Sequence, residues 1–219
     1  FVGGTDEEAE DGARPADSQT WPVTAPGDPA ATSIAVSAAL VGSSPAAVVI
    51  APDAPDDVVT EASEVAVAAG LPCFVDSSDL AAELKRLGVE QVRLFPASAP
   101  AASGSSSGTS DEAGWSEAVG ALEHVDSLPD VTRRPLHPVV VTSPDPTAHA
   151  AALATVRAVL GADAVTTLTA DDPREDAVVE ALGAEDEAVL VVVGDGEHLT
   201  GESLAGAAVM AAGAQPLPT

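Results

Sequence analysis

Two hydrophobic patterns alternate along the first half of the chain. Short runs of adjacent aliphatic and β-branched residues, such as AAVVIAP, are typical of strands that are buried on both faces. Between these runs, the apolar positions repeat at the spacing of one helical face. The predicted strands cover 46–52, 71–77 and 89–96, and the predicted helices cover 32–41, 56–70 and 78–88.

The second half of the chain repeats this alternation. A strand and its turn are predicted at 137–146, a strand and its loop at 162–172, and a strand at 187–196. The predicted helices cover 147–161, 174–183 and 200–214. Successive strand–helix–strand units favour a parallel sheet, because a helix returns the chain to the same end of the sheet. The predicted fold class is therefore α/β, with repeated β-α units that form parallel sheets covered by helices.

Composition divides the chain into folded segments and connecting segments. Residues 1–30 combine acids, Pro and Gly with few apolar positions, which predicts an acidic disordered tail. Residues 97–114 are rich in Ser, Gly and Ala, a composition typical of a linker. This predicts a first α/β module at 31–96 and a second at 115–219, which is C-terminally truncated or ends in a partial repeat.

A regular spacing suggests internal duplication. Three apolar triplets end at Ile50, Val141 and Val193, and a glycine follows each of them 20 residues later, at Gly70, Gly161 and Gly213. If the three units are copies, each triplet is an inner parallel strand and each glycine ends a helix with a positive φ. The same spacing is also the ordinary length of one strand–loop–helix unit.

The charge of the chain excludes several classes of partner. There are 35 acidic residues against 8 basic ones, so the formal net charge is −27. Such a surface repels nucleic acid and anionic lipid, and we expect no nucleic-acid partner. No apolar window is long enough for a membrane span. Cys73 is the only cysteine, so no disulfide forms within the chain, and we expect Cys73 to be buried.

The candidate ligand-binding residues follow the strands. Asp53, Asp145 and Asp195 each lie in the turn after an apolar triplet, and His198 lies in the third of these turns. Ligands of open α/β sheets bind beyond the carboxyl ends of the strands, where solvated turn acids or contacts to a cation or a sugar are the alternatives. His149 is expected to be exposed in the first turn of a helix. We predict no catalytic residue, because the chain has no GxSxG motif, and no metal site, because its four histidines lack metal-binding spacing. We predict no cofactor, because GDGEHLTG (194–201) lacks the spacing of a phosphate-binding loop.

Residues 27–100 contain AAGLP (68–72) near the middle and LKRLGVEQVRLF (84–95) near the end. With these motifs, the segment resembles a repeat of the cell wall-binding repeat type 2 family. Residues 191–219 resemble either the opening of another copy or the end of the preceding one. The resemblance implies flavodoxin-like or Rossmann-like modules and non-covalent attachment to polymers of the cell envelope.

The expected function is therefore that of a non-enzymatic, secreted or envelope-associated protein. Its expected partner is a cell-envelope polysaccharide or an envelope protein, and its expected location is extracellular or in the cell envelope, with any signal peptide already removed. The alternative is a small-molecule-binding α/β enzyme or sensor that uses the turn at 194–201.

Overall fold

The structure is a computed structural model, and it describes residues 14–15, 28–97, 115–128, 138–184 and 189–193. Its strands are β1 (Arg14–Pro15), β2 (Val41–Ser43), β3 (Ala46–Ile50), β4 (Cys73–Val75), β5 (Gln91–Phe95), β6 (Glu123–His124), β7 (Val139–Ser143), β8 (Val165–Thr169) and β9 (Val189–Val192). Its helices are α1 (Pro29–Leu40), α2 (Asp56–Ala69), α3 (Leu80–Leu87), α4 (Glu117–Gly120), α5 (Ala150–Leu160) and α6 (Asp176–Ala184), with a 3-10 turn at Ala162–Ala164.

The predicted α/β fold class is confirmed. A four-stranded parallel sheet has the order β4-β3-β5-β6, and a three-stranded parallel sheet has the order β8-β7-β9. Helices flank both sheets, which is consistent with a Rossmann-like or flavodoxin-like arrangement. The two-residue strand β1 pairs with β2 in the antiparallel sense.

The alternation of side chains in β3 explains why helices cover both faces of the first sheet. All five residues of β3 are buried. Val48 and Ile50 pack in one cluster with Ala62 and Ala66 of α2. Ala47 and Val49 point to the other face and join a cluster that includes residues of α1 and α3. A strand buried on both faces requires an uninterrupted apolar run, which is the pattern that predicted β3.

The first three strands of each sheet have the same order, and the first sheet has β6 in addition. In each, the first strand of the unit lies in the middle, the second on one side and the third on the other, so β3 and β7 are inner strands as predicted. Among the described residues β9, which holds most of the third triplet, pairs with β7 alone, and its prediction as an inner strand stays a prediction. The predicted helix at 200–214 lies outside the described residues.

Helix α5 packs between the two sheets. Its Ala152 and Val156 belong to a cluster that contains Val141 of β7 as well as Val36 of α1. On another side of the helix, Ala151 and Ala154 pack with residues of α2 and β3. One helix therefore joins the cores of both sheets.

The segment at 115–128 belongs to the first sheet. Its strand β6 pairs with β5 through Gln91–Glu123 and Val92–His124, although the sequence analysis placed this segment in the second module. Both residues of β6 are exposed, so β6 has no buried apolar run that the sequence could have revealed. The predicted linker, apart from residue 97, lies outside the described residues.

Helix α1 starts earlier than predicted because its first turn is capped. The Asp28 carboxylate accepts a hydrogen bond from the Ala31 amide at 3.2 Å, and Pro29 occupies the first helical position. At the other end, the Arg86 guanidinium of α3 donates to the Val41 carbonyl at 2.8 Å and to Glu83. Glu83 is 5% exposed and also accepts from Ser37 of α1. This polar cluster ties α1 to α3.

The two described glycines of the repeating pattern differ in conformation. Gly70 ends α2 in the left-handed region, with φ 64° and ψ 33°, whereas Gly161 ends α5 with φ 93° and ψ 119°. Both have the predicted positive φ, and Gly213 lies outside the described residues. A side chain is tolerated at the Gly70 angles at a moderate cost, but the Gly161 angles are far from those of other residues.

We therefore expect Gly161→Ala to cost more than Gly70→Ala. The expected loss in the free energy of unfolding is about 2 kcal/mol at Gly161 and about 1 kcal/mol at Gly70. Urea denaturation followed by circular dichroism measures both. Gly120→Ala is the control, because Gly120 lacks a positive φ and no atom lies within 4 Å of the added Cβ. Equal losses at Gly70 and Gly161 would contradict this dependence on backbone angles.

Candidate functional site

The predicted ligand-binding residues do not form one site within the described residues. Asp53 is exposed in the turn after β3, and Asp145 is exposed in the turn after β7, so the two follow strands of different sheets. Asp195 and His198 lie outside the described residues, as does the whole turn at 194–201.

Asp145 satisfies the backbone at the beginning of α5. Its Oδ1 accepts hydrogen bonds from the amides of Thr147 at 3.1 Å and Ala148 at 2.9 Å. Its carbonyl oxygen accepts from the amide of His149 at 3.1 Å. A carboxylate before a helix is stabilised by the unpaired amides and by the helix dipole. The described contacts of Asp145 are thus those of a helix cap.

His149 is buried, and the expectation that it is exposed is wrong. It is 4% exposed, and its Nδ1 lies 3.2 Å from Ser143 Oγ at the end of β7. The turn capped by Asp145 folds the chain back, so that the first residue before α5 covers the end of the preceding strand. The sequence pattern placed His149 on a helix but contained no signal for this reversal.

Two buried polar atoms in or next to this pair have no hydrogen-bond partner among the described residues. His149 Nε2 and Thr142 Oγ1 make no hydrogen bond in the described part of the chain. The carbonyl of Thr142 accepts from the Val193 amide at 2.8 Å, where β9 leads towards the turn at 194–201. A serine hydroxyl beside an imidazole is the chemistry of an activated nucleophile. Ser143 is fully buried, so the pair as described does not reach solvent.

A second buried polar contact lies at the carboxyl end of the first sheet. Asp76, which follows β4 and is 4% exposed, accepts hydrogen bonds from the Ser116 amide at 2.8 Å and from Ser116 Oγ at 2.7 Å. A buried carboxylate needs such donors to offset its lost hydration. This contact fixes the segment that carries α4 and β6, and sequence analysis missed it because Asp76 and Ser116 are far apart along the chain.

Cys73 is buried, as predicted. It is fully inaccessible, and burial raises the pKa of its thiol, because the thiolate would lose its hydration. A thiol in this state is a poor nucleophile and a poor metal ligand.

We expect Cys73 to react only when the chain unfolds. In the native protein at pH 8, an aromatic disulfide reagent should label no thiol over an hour, because the reactive thiolate is suppressed and inaccessible. In concentrated urea it should label one thiol per chain. Rapid labelling of the native chain would mean that β4 opens readily.

A groove runs between α2 and α5 and ends at β8. Its volume is about 500 Å³. Apolar side chains form much of its surface, with hydroxyl groups, one acid and one base at its sides. Among the residues that line it are Ser63, Glu64, Val67, Leu153, Arg157 and Thr167.

The part of the chain that the structure describes contains neither a candidate metal site nor a candidate membrane-spanning helix. No cluster of His, Cys, Asp or Glu in these ranges could hold a metal ion. No described helix has the length and apolar character needed to cross a membrane.

The chain matches no protein-family model, no curated protein and no solved structure.

Proposed function

We propose that this chain is a non-enzymatic, secreted or envelope-associated protein that binds a cell-envelope polysaccharide or an envelope protein, in the manner of degenerate wall-binding repeats. The observation that carries the proposal is that two acids at the carboxyl ends of the strands are bonded to groups of the protein itself. Asp145 caps α5, and Asp76 accepts hydrogen bonds from Ser116. In α/β enzymes this edge carries groups that are free to meet a ligand.

The surface charge favours some classes of ligand over others. Helix α2 exposes Asp56, Asp57, Glu61 and Glu64 to solvent, and the whole chain has a net charge of −27. An anionic polymer is repelled by such a surface at low salt, and the repulsion is screened over about 10 Å at 0.1 M salt. The favoured ligands are therefore neutral or cationic components of the envelope.

Co-sedimentation with purified cell walls over a salt series tests this proposal. The full chain is mixed with walls before and after extraction of their anionic polymers, between 20 mM and 500 mM NaCl. We expect binding to extracted walls at all salt concentrations, and binding to intact walls that strengthens as salt rises. The variant in which Asp56, Asp57, Glu61 and Glu64 become amides should bind intact walls better at low salt. Failure to sediment with either preparation at any salt concentration would refute the proposal.

A second candidate function is supported by the buried pair of Ser143 and His149. The pair lies at the carboxyl end of an inner strand, beside the strand that leads into 194–201, and His149 Nε2 is buried without a partner in the described residues. These features support a small-molecule-binding enzyme or sensor.

Hydrolysis of p-nitrophenyl acetate separates the two candidates. An esterase would lose activity in Ser143→Ala and in His149→Ala but keep it in the control Ser63→Ala, whose serine lies on α2. If the pair is structural, the native chain hydrolyses the ester no faster than free imidazole does, and the two variants change only its stability.

A further inference from the structure

The outer edge of the first sheet is closed by hydroxyl groups. The strand β4 pairs with β3 on one side, and on the other side its Cys73 amide donates to Thr155 Oγ1 of α5 at 2.9 Å. The one hydroxyl hydrogen of Thr155 is shared between the carbonyls of Cys73 and Ala151, each 3.2 Å from Oγ1. The Val75 amide donates to Ser33 Oγ of α1 at 3.4 Å. Hydroxyl groups of two helices thus accept from the outward-facing amides of Cys73 and Val75 in this edge strand.

Among the described residues, no other segment covers the corresponding edge of the second sheet, on β8. The amide of Ala170 donates to the Ser143 carbonyl of β7, so the alternation of a parallel ladder turns the backbone groups of Val165, Thr167 and Thr169 away from β7. The Val165 amide is used by the preceding 3-10 turn. In the described residues, the outward amides of Thr167 and Thr169 have no hydrogen-bond partner.

The two edges occupy equivalent places, so their difference is informative. Cys73 pairs with Val48, the third residue of β3, and Thr167 pairs with Val141, the third residue of β7. At Cys73 a helix closes the edge, whereas at Thr167 the groove between α2 and α5 separates the edge from α2. Where a helix contacts the edge strand of the first sheet, the described residues leave a groove beside the edge strand of the second sheet.

The sequence of β8 does not protect this edge. Proteins usually blunt an exposed edge strand with a charge, a proline or a bulge. The strand reads VTTLT, has no charge, and exposes Thr166, Thr167 and Thr169. Threonine and valine favour extended backbone, so the strand is well suited to pair with another strand.

The charges around this edge indicate the sign of the charge that a partner should carry. Glu64 lines the groove, and Asp163 and Asp171 are exposed just before and just after β8. Arg157 is the one basic residue along the groove. The acidic excess, added to the net charge of the chain, favours a cationic partner and disfavours a second copy of the chain.

We propose that β8 binds an extended, basic peptide segment of a partner protein as an added strand. The outward backbone groups of Thr167 and Thr169 pair with the peptide backbone, and alternate side chains of the peptide enter the groove beside Val67 and Leu153. Strand addition of this kind takes its affinity from main-chain hydrogen bonds and its specificity from alternate side-chain pockets. This interaction goes beyond wall binding and does not depend on it.

Peptide titration of the full chain tests the backbone pairing. The probe is a synthetic ten-residue peptide in which Thr and Val alternate with Lys, and the control peptide carries Glu in place of Lys. We expect the basic peptide to slow hydrogen exchange of the Thr167 and Thr169 amides at least tenfold, as measured by NMR. Thr167→Pro should weaken binding at least tenfold, since it removes an outward amide without breaking the ladder to β7. Thr167→Val keeps that amide and should bind within twofold of the native chain.

Charge reversal gives a second test that does not alter the strand. Glu64→Lys should weaken binding of the basic peptide at least threefold, whereas Glu61→Lys, on the same helix but outside the groove lining, should change it less than twofold.

Three results would overturn the proposal. One is equal binding of the basic and the acidic peptide, and another is equal weakening by Thr167→Val and Thr167→Pro. The third is self-association of the native chain that Thr167→Pro abolishes, which would identify the occupant as a second copy. Wall binding is measured separately, so its failure leaves the peptide result interpretable.

Discussion

Replacing Arg86 by methionine is expected to lower the free energy of unfolding by about 3 kcal/mol, because it leaves a buried carboxylate without its counter-charge. The Arg86 guanidinium donates to both carboxylate oxygens of Glu83, each at 2.7 Å, while Glu83 is only 5% exposed. It also caps the end of α1 through the Val41 carbonyl. The side chain of Arg86 is itself 38% exposed, so we place the loss at the lower end of the range for buried pairs.

Lys85→Met is the matched control for this prediction. It removes the same charge from the neighbouring position of α3, but Lys85 is exposed. We expect its effect on the free energy of unfolding to stay below about 0.5 kcal/mol. Urea denaturation measures both variants. Equal losses at the two positions would show that net charge, and not the pairing with Glu83, determines the stability.

The strands and helices near the core could be predicted from local pattern. The run AAVVI predicted β3 because a strand buried on both faces needs apolar residues at every position. Gly70 predicted the end of α2 because a helix commonly ends in a left-handed residue. The α/β fold class followed from the alternation of these elements, and the structure confirms it.

The contacts that join distant parts of the chain could not be predicted in this way. Cys73 and Thr155 are 82 residues apart, and no periodic pattern relates a hydroxyl on one helix to the edge of another sheet. The contact between Asp76 and Ser116 has the same character. One signal was available for α5, because a helix with Arg157 as its only charged residue is typical of burial on several sides.

The candidate site depended on turns, and turns were where local pattern predicted least. Asp145 was expected after a strand, and it is there, but its carboxylate is used by the amides that begin α5. The burial of His149 depends on that same reversal of the chain. The edge at Thr167 could not be predicted either, because its exposure depends on how α2 and α5 lie beside the second sheet.

Replacing Thr155 by valine is expected to lower the free energy of unfolding by about 3 kcal/mol, since it leaves the buried Cys73 amide without its acceptor and removes the one hydroxyl hydrogen that the carbonyls of Cys73 and Ala151 share. Valine has nearly the shape of threonine, so the packing of α5 is preserved and the change isolates the hydroxyl. Both Thr155 and Cys73 are fully buried, and water therefore cannot replace the lost hydrogen bonds. The same variant should speed the reaction of Cys73 with the aromatic disulfide reagent, because the edge of β4 opens more often.

Thr60→Val provides the comparison for Thr155→Val. It makes the same chemical change on α2, where the hydroxyl is exposed and donates to the carbonyl of Asp56 within its own helix at 2.7 Å. We expect its effect to be below about 0.5 kcal/mol, because solvent satisfies the groups that lose their partner. If both variants lose the same stability, the hydroxyl of Thr155 does not close the edge of β4. The contrast between that closed edge and the open edge at Thr167 would then no longer support strand addition at β8.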